Sequence, residues 1–168
     1  LYDTTNNVIT TNFSAVKTED TDVDVTISDA DYSANTNNVT IAATTLSGIG
    51  NATTGTVTVT NAVKVSGTQA QLTGALVTAG SMVSVSDAVV VVSDAAFANT
   101  AATIAASDLK NIGNATTGAV TVTNAVKITG SQSDLTAALV TAGSMVNISD
   151  AVVVVNDGAF ANTNSTIA

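Results

Sequence analysis

The side chains best able to do chemistry in this 168-residue chain are its thirteen acids, set against four Lys and no His, Arg or Cys. Carboxylates offer two kinds of chemistry. A pair can serve as general acid and base in glycoside cleavage, and a cluster can hold a hard cation such as calcium. The densest group is Asp20-x-Asp22-x-Asp24. This spacing resembles the start of a calcium loop, and Asp20, Asp22 and Asp24 are the candidate metal ligands. Val25 stands at the sixth position, where an EF-hand loop needs Gly, so an EF-hand is excluded. Alternation with Val23, Val25 and Ile27 gives the competing reading, a solvated acidic face on a half-buried strand over Asp20 to Asp29.

The remaining acids recur rather than converge. Asp29, Asp94 and Asp157 lie in matching contexts, as do Asp87 and Asp150. An active site is one asymmetric place, so acids written two or three times over argue against catalysis. Asp at recurring corners caps nearby backbone N–H groups. No catalytic residue and no enzyme activity are therefore expected, and calcium is the one cofactor the acids suggest.

Net charge is −9, and seven acids with one base lie within residues 1–31. With so few cations, contact with a phosphate backbone is not expected. Absence of Cys removes disulfide and zinc-thiolate arguments. No apolar run approaches the ~20 residues of a transmembrane helix.

What must position these residues is a repeat. GNATTGTVTVTNAVKVSG from Gly50 returns as GNATTGAVTVTNAVKITG from Gly113, 63 residues later. The match runs from Gly50–Thr100 to Gly113–Thr163 with 40 of 51 positions identical. A fixed period signals stacked units, each burying its face on the next. ISDADYSANTNNVTIAA from Ile27 joins the same pattern, making Tyr32, Phe97 and Phe160 equivalent. A half-repeat splits each period into 26 and 37 residues, with the extra length around the AFANT segment.

TVTVTNAVKVSG and VSVSDAVVVVSD read as strands broken at Asn61-Ala62 and Asp87-Ala88. SQSDLTAALVTAG reads as a short helix, with Leu135 and Leu139 on one face, Ser131 or Ser133 as cap and Gly143 as stop. ASDLKNIG reads as one helical turn between Ser107 and Gly113. The expected core includes Val59, Leu72, Leu76, Val85, Val122, Leu135, Leu139 and Ile148. With aromatics at 3%, Val, Ile, Leu and Ala must fill it. These textures predict a mainly β fold, a parallel β-solenoid with short helical inserts. Residues 1–26 would be a non-repeat N-terminal cap or exchanged strand, and 27–168 the repeat solenoid.

Two surface patterns invite other readings. Thr56, Thr58 and Thr60 project together, the device of an ice-binding face, although an ordinary solvent face explains them as well. Asn-x-Ser/Thr sequons occur at Asn12, Asn38, Asn51, Asn114, Asn147 and Asn164, a frequency that the Asn/Thr-rich composition explains.

GNATTGAVTVTNAVKITGSQSDLTAALVTAG resembles the Ala/Thr/Val-rich repeats of very long bacterial cell-surface proteins, the cyanobacterial ones in particular. The resemblance covers Ile27 to Ala168. It implies an exported structural role, a rigid segment of a surface layer, fibre or adhesin. The alternatives are a solenoid that binds glycan, ice or mineral, and a polysaccharide-active β-helix. Thr166-Ile167-Ala168 falls in phase with Thr103-Ile104-Ala105, so the repeat stops within a coil. The expected partner is therefore a second copy joined end to end, using Val8, Ile9, Phe13, Val16 and Ile167.

Overall fold

In a computed structural model of the chain, residues 21–32, 40–78, 80, 82–100, 102–141 and 146–158 are described. Eleven strands and five helices alternate among them. The strands are β1 (Val25–Ile27), β2 (Thr40–Ala42), β3 (Val57–Val59), β4 (Lys64–Gly67), β5 (Val83–Val85), β6 (Val89–Val92), β7 (Thr103–Ala105), β8 (Val120–Val122), β9 (Lys127–Gly130), β10 (Val146–Asn147) and β11 (Val152–Val155). The helices are α1 (Ala43–Gly50), α2 (Gln69–Leu76), α3 (Phe97–Thr100), α4 (Ala106–Asn114) and α5 (Gln132–Leu139).

The expectation of a mainly β solenoid is overturned. Helix and strand take nearly equal shares, 29% and 30%, giving a mixed α/β fold of parallel sheets. Composition misled because Val and Thr advertise strands, whereas the helices are built from Ala, Leu, Gln and Ser in segments too short to show a strong period. Helices α1, α2, α4 and α5 pack each on the next as a continuous layer.

Every strand pairing is parallel. The sheets have the orders β1-β3-β5, β10-β8-β6-β4-β2 and β11-β9-β7. Val57 lies opposite Val83, and Val120 opposite Val146, which is the 26-residue half-repeat. The 37-residue coil differs because it carries three strands. Its middle one, β6, pairs with β4 below and β8 above. It is the central strand of the five-stranded sheet. The flanking strands β5 and β7 end one neighbouring sheet and begin the other.

The core is an aliphatic column filled from the inward positions of the strands and from the helices. Val57, Val65, Leu72, Val83, Val90, Leu109, Ile112 and Ile128 are all fully buried. Six of the eight expected core positions are buried as well, from Val59 to Leu135. Leu139 and Ile148 are only partly buried, because they belong to the last described coil.

Helix starts show two designs. Helices α2 and α5 begin at capped residues. Thr68 and Gln71 form a reciprocal capping box on α2, and Ser131 Oγ accepts from Asp134 N–H on α5. Helix α4 spans nine residues rather than one turn, and Ser107 lies inside it rather than at its cap. Both α1 and α4 issue directly from the preceding strand at Ala42 and Ala105, with no side-chain cap. Helix α5 stops at Leu139, short of Gly143. The Gly80 position that matches Gly143 one period earlier adopts φ +95 in the loop after α2.

Candidate functional site

The polar residues of the repeat converge on the seam between successive coils. Two consecutive Thr and a Gly form its centre. Thr116 Oγ1 donates to Ala88 O at 2.7 Å and accepts from Gly118 N–H at 3.0 Å. Thr117 donates from N–H and Oγ1 to Ser86 O at 2.9 and 3.0 Å. One period earlier, Thr53 Oγ1 donates to Val23 O at 2.7 Å and accepts from Gly55 N–H at 2.9 Å. Thr54 donates likewise to Thr21 O, at 2.8 and 3.1 Å. Gly118 and Gly55 allow the coils to approach this closely. A Cβ at either would overlap a backbone carbonyl of the coil below, that of Ala88 or of Asp22.

Around this clasp stand three further recurring contacts. Asn61 and Asn124 donate from Nδ2 to the carbonyls of Asp29 and Asp94, both at 2.6 Å. Tyr32 and Phe97 donate from N–H to Ala62 O and Ala125 O, both at 2.8 Å, and their rings lie beneath Lys64 and Lys127 at 5.1 and 5.2 Å. Asp94 Oδ2 accepts from Gln69 N–H at 2.6 Å, and Asp157 Oδ2 from Gln132 N–H at 2.9 Å. Those N–H groups open helices α2 and α5, so each carboxylate also meets the positive end of a helix dipole. Asp at the recurring corners does cap backbone N–H groups, but across the seam, 25 residues away, rather than locally.

Of the acidic triplet, Asp22 and Asp24 fall among the described residues. Asp24 Oδ1 accepts from Thr56 N–H at 2.7 Å, again across a seam. Strand β1 covers only Val25–Ile27, not Asp20 to Asp29. Asp20 lies outside the described residues. Among the described residues, no three Asp or Glu approach closely enough to hold a metal ion. Asp87 and Asp150 sit at exposed corners and accept from the neighbouring Ser86 and Ser149 hydroxyls.

Thr58 lies between Thr26 and Ser84 in the cross-strand register, so the outward hydroxyl row runs across strands. Thr56 falls before β3 and Thr60 after it. Thr60 donates from Oγ1 to Ile27 O, and Thr56, Thr58 and Thr60 alternate with the buried Val57 and Val59.

The seam residues Thr53 and Thr116 are the third residues of the Asn51 and Asn114 sequons. Their side chains are 7% and 5% exposed, and their hydroxyls both donate and accept. The clue was the recurrence of Thr-Thr-Gly before each VTV strand.

Between α4 and α5, Lys110 Nζ lies 2.7 Å from Asp134 Oδ1. The Lys110 hydrogen bond, assisted by Ser131, holds the Asp134 carboxyl below its ordinary value. Among the described residues, no buried side-chain polar atom lacks a hydrogen bond.

At the last described coil the column is open. Leu139, Val146, Ile148, Ser149, Ala151 and Val153 line a depression of about 200 Å³. Val152, Val153, Val154 and Val155 are 51%, 46%, 37% and 47% exposed. Val8, Ile9, Phe13, Val16 and Ile167, the expected assembly residues, lie outside the described residues. Comparison with protein-family models, curated proteins and solved structures returned no match. No helix among the described residues is long and apolar enough to cross a membrane.

Proposed function

We propose that the chain is a structural element, a stiff spacer in an extracellular layer, fibre or adhesin, joined end to end with further copies. One observation carries this reading. The recurring polar side chains of Thr53 and Asn61, with their counterparts Thr116 and Asn124, are spent on joining one coil to the next. Such residues propagate a scaffold and leave little over for a substrate. The Ala/Thr/Val-rich texture shared with bacterial cell-surface repeats supports the same role and the same location. So does the apolar open coil, which favours association over a free surface.

Negative-stain imaging of the purified chain, with sedimentation at rising concentration, tests this. Rods or filaments that lengthen with concentration are expected. Compact monomers at every concentration would refute it. Deleting residues 1–16 asks whether the N-terminal segment makes the contact. Shortened assemblies with unchanged circular dichroism are expected, and unchanged filaments would remove those residues from the interface.

A further inference from the structure

The open edge of β11 has a defined complement, because the same edge is occupied one period earlier. Strand β6 turns Val90 N–H and Val92 O toward β8, where they meet Ala119 O at 2.9 Å and Thr123 N–H at 3.1 Å. In β11, Val152 and Asn156 direct their N–H groups to Val126 O and Gly130 O of the β9 coil. By alternation, the backbone groups of Val153 and Val155 point away from β9. Among the described residues nothing pairs with them. The missing neighbour is a parallel strand of β8 type, Val-Thr-Val.

Strand β1 has that character. With Asp29 aligned on Asp94, an offset of 65 residues here, it matches β6, yet its sequence is Val25-Thr26-Ile27, not Val-Val-Val. Its edge also has the right parity. Val25 N–H and Ile27 O bond to Thr56 O and Thr60 N–H on the β3 side. Thr26 therefore turns its N–H and C=O outward, as Thr121 does toward β6. Among the described residues β1 pairs only with β3.

We infer that a second copy of the chain docks its β1 on β11, in the register that β8 takes on β6. Val25, Thr26 and Ile27 of one copy then stand opposite Val153, Val154 and Val155 of the next. Val25 and Ile27 are already buried within their own copy, so the contact is made by the strand edge itself. The contact is heterologous and leaves a free β11 on the second copy, so it propagates. This inference rests on the end-to-end reading and names its interface.

One position in this register is mismatched. Where β8 supplies Asn124, whose Nδ2 donates to Asp94 O at 2.6 Å, β1 supplies Asp29, opposite Asp157. The bond is lost, and the Asp29 carboxylate faces the Asp157 carbonyl oxygen, two acceptors with no proton between them. Asp29 thus holds the association weak, and neutralising it strengthens docking.

Sedimentation of three proteins tests the inference. Val153→Pro removes the outward N–H without touching the β9 ladder, an edge position where Pro is tolerated. Its circular dichroism stays that of the parent, while its association constant falls about tenfold or more, as expected for loss of strand pairing. Asp29→Asn raises the constant by about tenfold. The chain has no Cys, so a mixture of Thr26→Cys and Val154→Cys proteins under mild oxidation gives mainly the mixed disulfide. If the parent associates and none of these changes matters, β1 docking is wrong while an end-to-end contact elsewhere stands. If parent and Asp29→Asn are both monomeric throughout, both readings fall.

Discussion

Strands β6 and β11 have the same sequence, Val-Val-Val-Val, 63 residues apart. In β6, Val90 and Val92 are fully buried, while in β11 no valine is less than 37% exposed. Propensity, pattern and pairing to the strand below are the same, so none of these accounts for the difference. What differs is the coil above. Burial in this architecture is conferred by the next repeat, as expected when stability is a sum of unit and nearest-neighbour terms.

The sharpest way to break that comparison is to place a charge at each matching site. Val90→Asp should cost at least ~4 kcal/mol, because a carboxylate would be buried without a partner. Val153→Asp should cost less than ~1 kcal/mol in the unassembled chain. Thermal melts of both variants measure this, and equal losses would contradict the nearest-neighbour account. Next come the paired leucines. Leu76, 4% exposed, should lose about 2–5 kcal/mol on truncation to Ala, and its half-buried counterpart Leu139 should fall below that range. Denaturant titration at low concentration decides the order. Removing the seam hydroxyl by Thr116→Val should cost about 1–3 kcal/mol, since Ala88 O and Gly118 N–H lose their partner. A silent substitution would show that the Thr-Thr-Gly clasp is ornamental. The smallest effect is expected at the helix layer. Lys110→Ala should barely move the melting point, because the side chains of Lys110 and Asp134 remain 32% and 34% exposed. Its signature is in pH instead. The folded Asp134 carboxyl is lowered, so its contribution is complete above the ordinary Asp range and is lost as pH falls through the lowered value. The variant's acid melting curve should therefore lie closer to the parent's at low pH than at neutral pH.

Much of the fold was legible in particular residues. The 63-residue recurrence and its 26-residue division reappear as strand register, and the breaks at Asn61-Ala62 and Asp87-Ala88 separate β3 from β4 and β5 from β6. Ser131 caps α5 as its sequence suggests. The helical share was not legible. ASDLKNIGN forms more than two turns although its first residue has no capping side chain, because packing against α5 and the strands supplies what propensity does not. Nor was the direction of the Asp and Thr contacts legible. Asp94 reaching Gln69 and Thr116 reaching Ala88 depend on which coil lies below, which composition does not encode.

The central place of β6 has a mechanical consequence. One sheet terminates at β5 and another starts at β7, both beside the middle of the five-stranded sheet that contains β6. The sheets therefore overlap like courses of brick in running bond. A crack that follows the end of one sheet meets the unbroken centre of its neighbour and must tear a parallel ladder to pass. Each 63-residue period adds only five short strands to the column. Reach is therefore costly in residues, and what those residues provide is a column without a through-going plane of weakness.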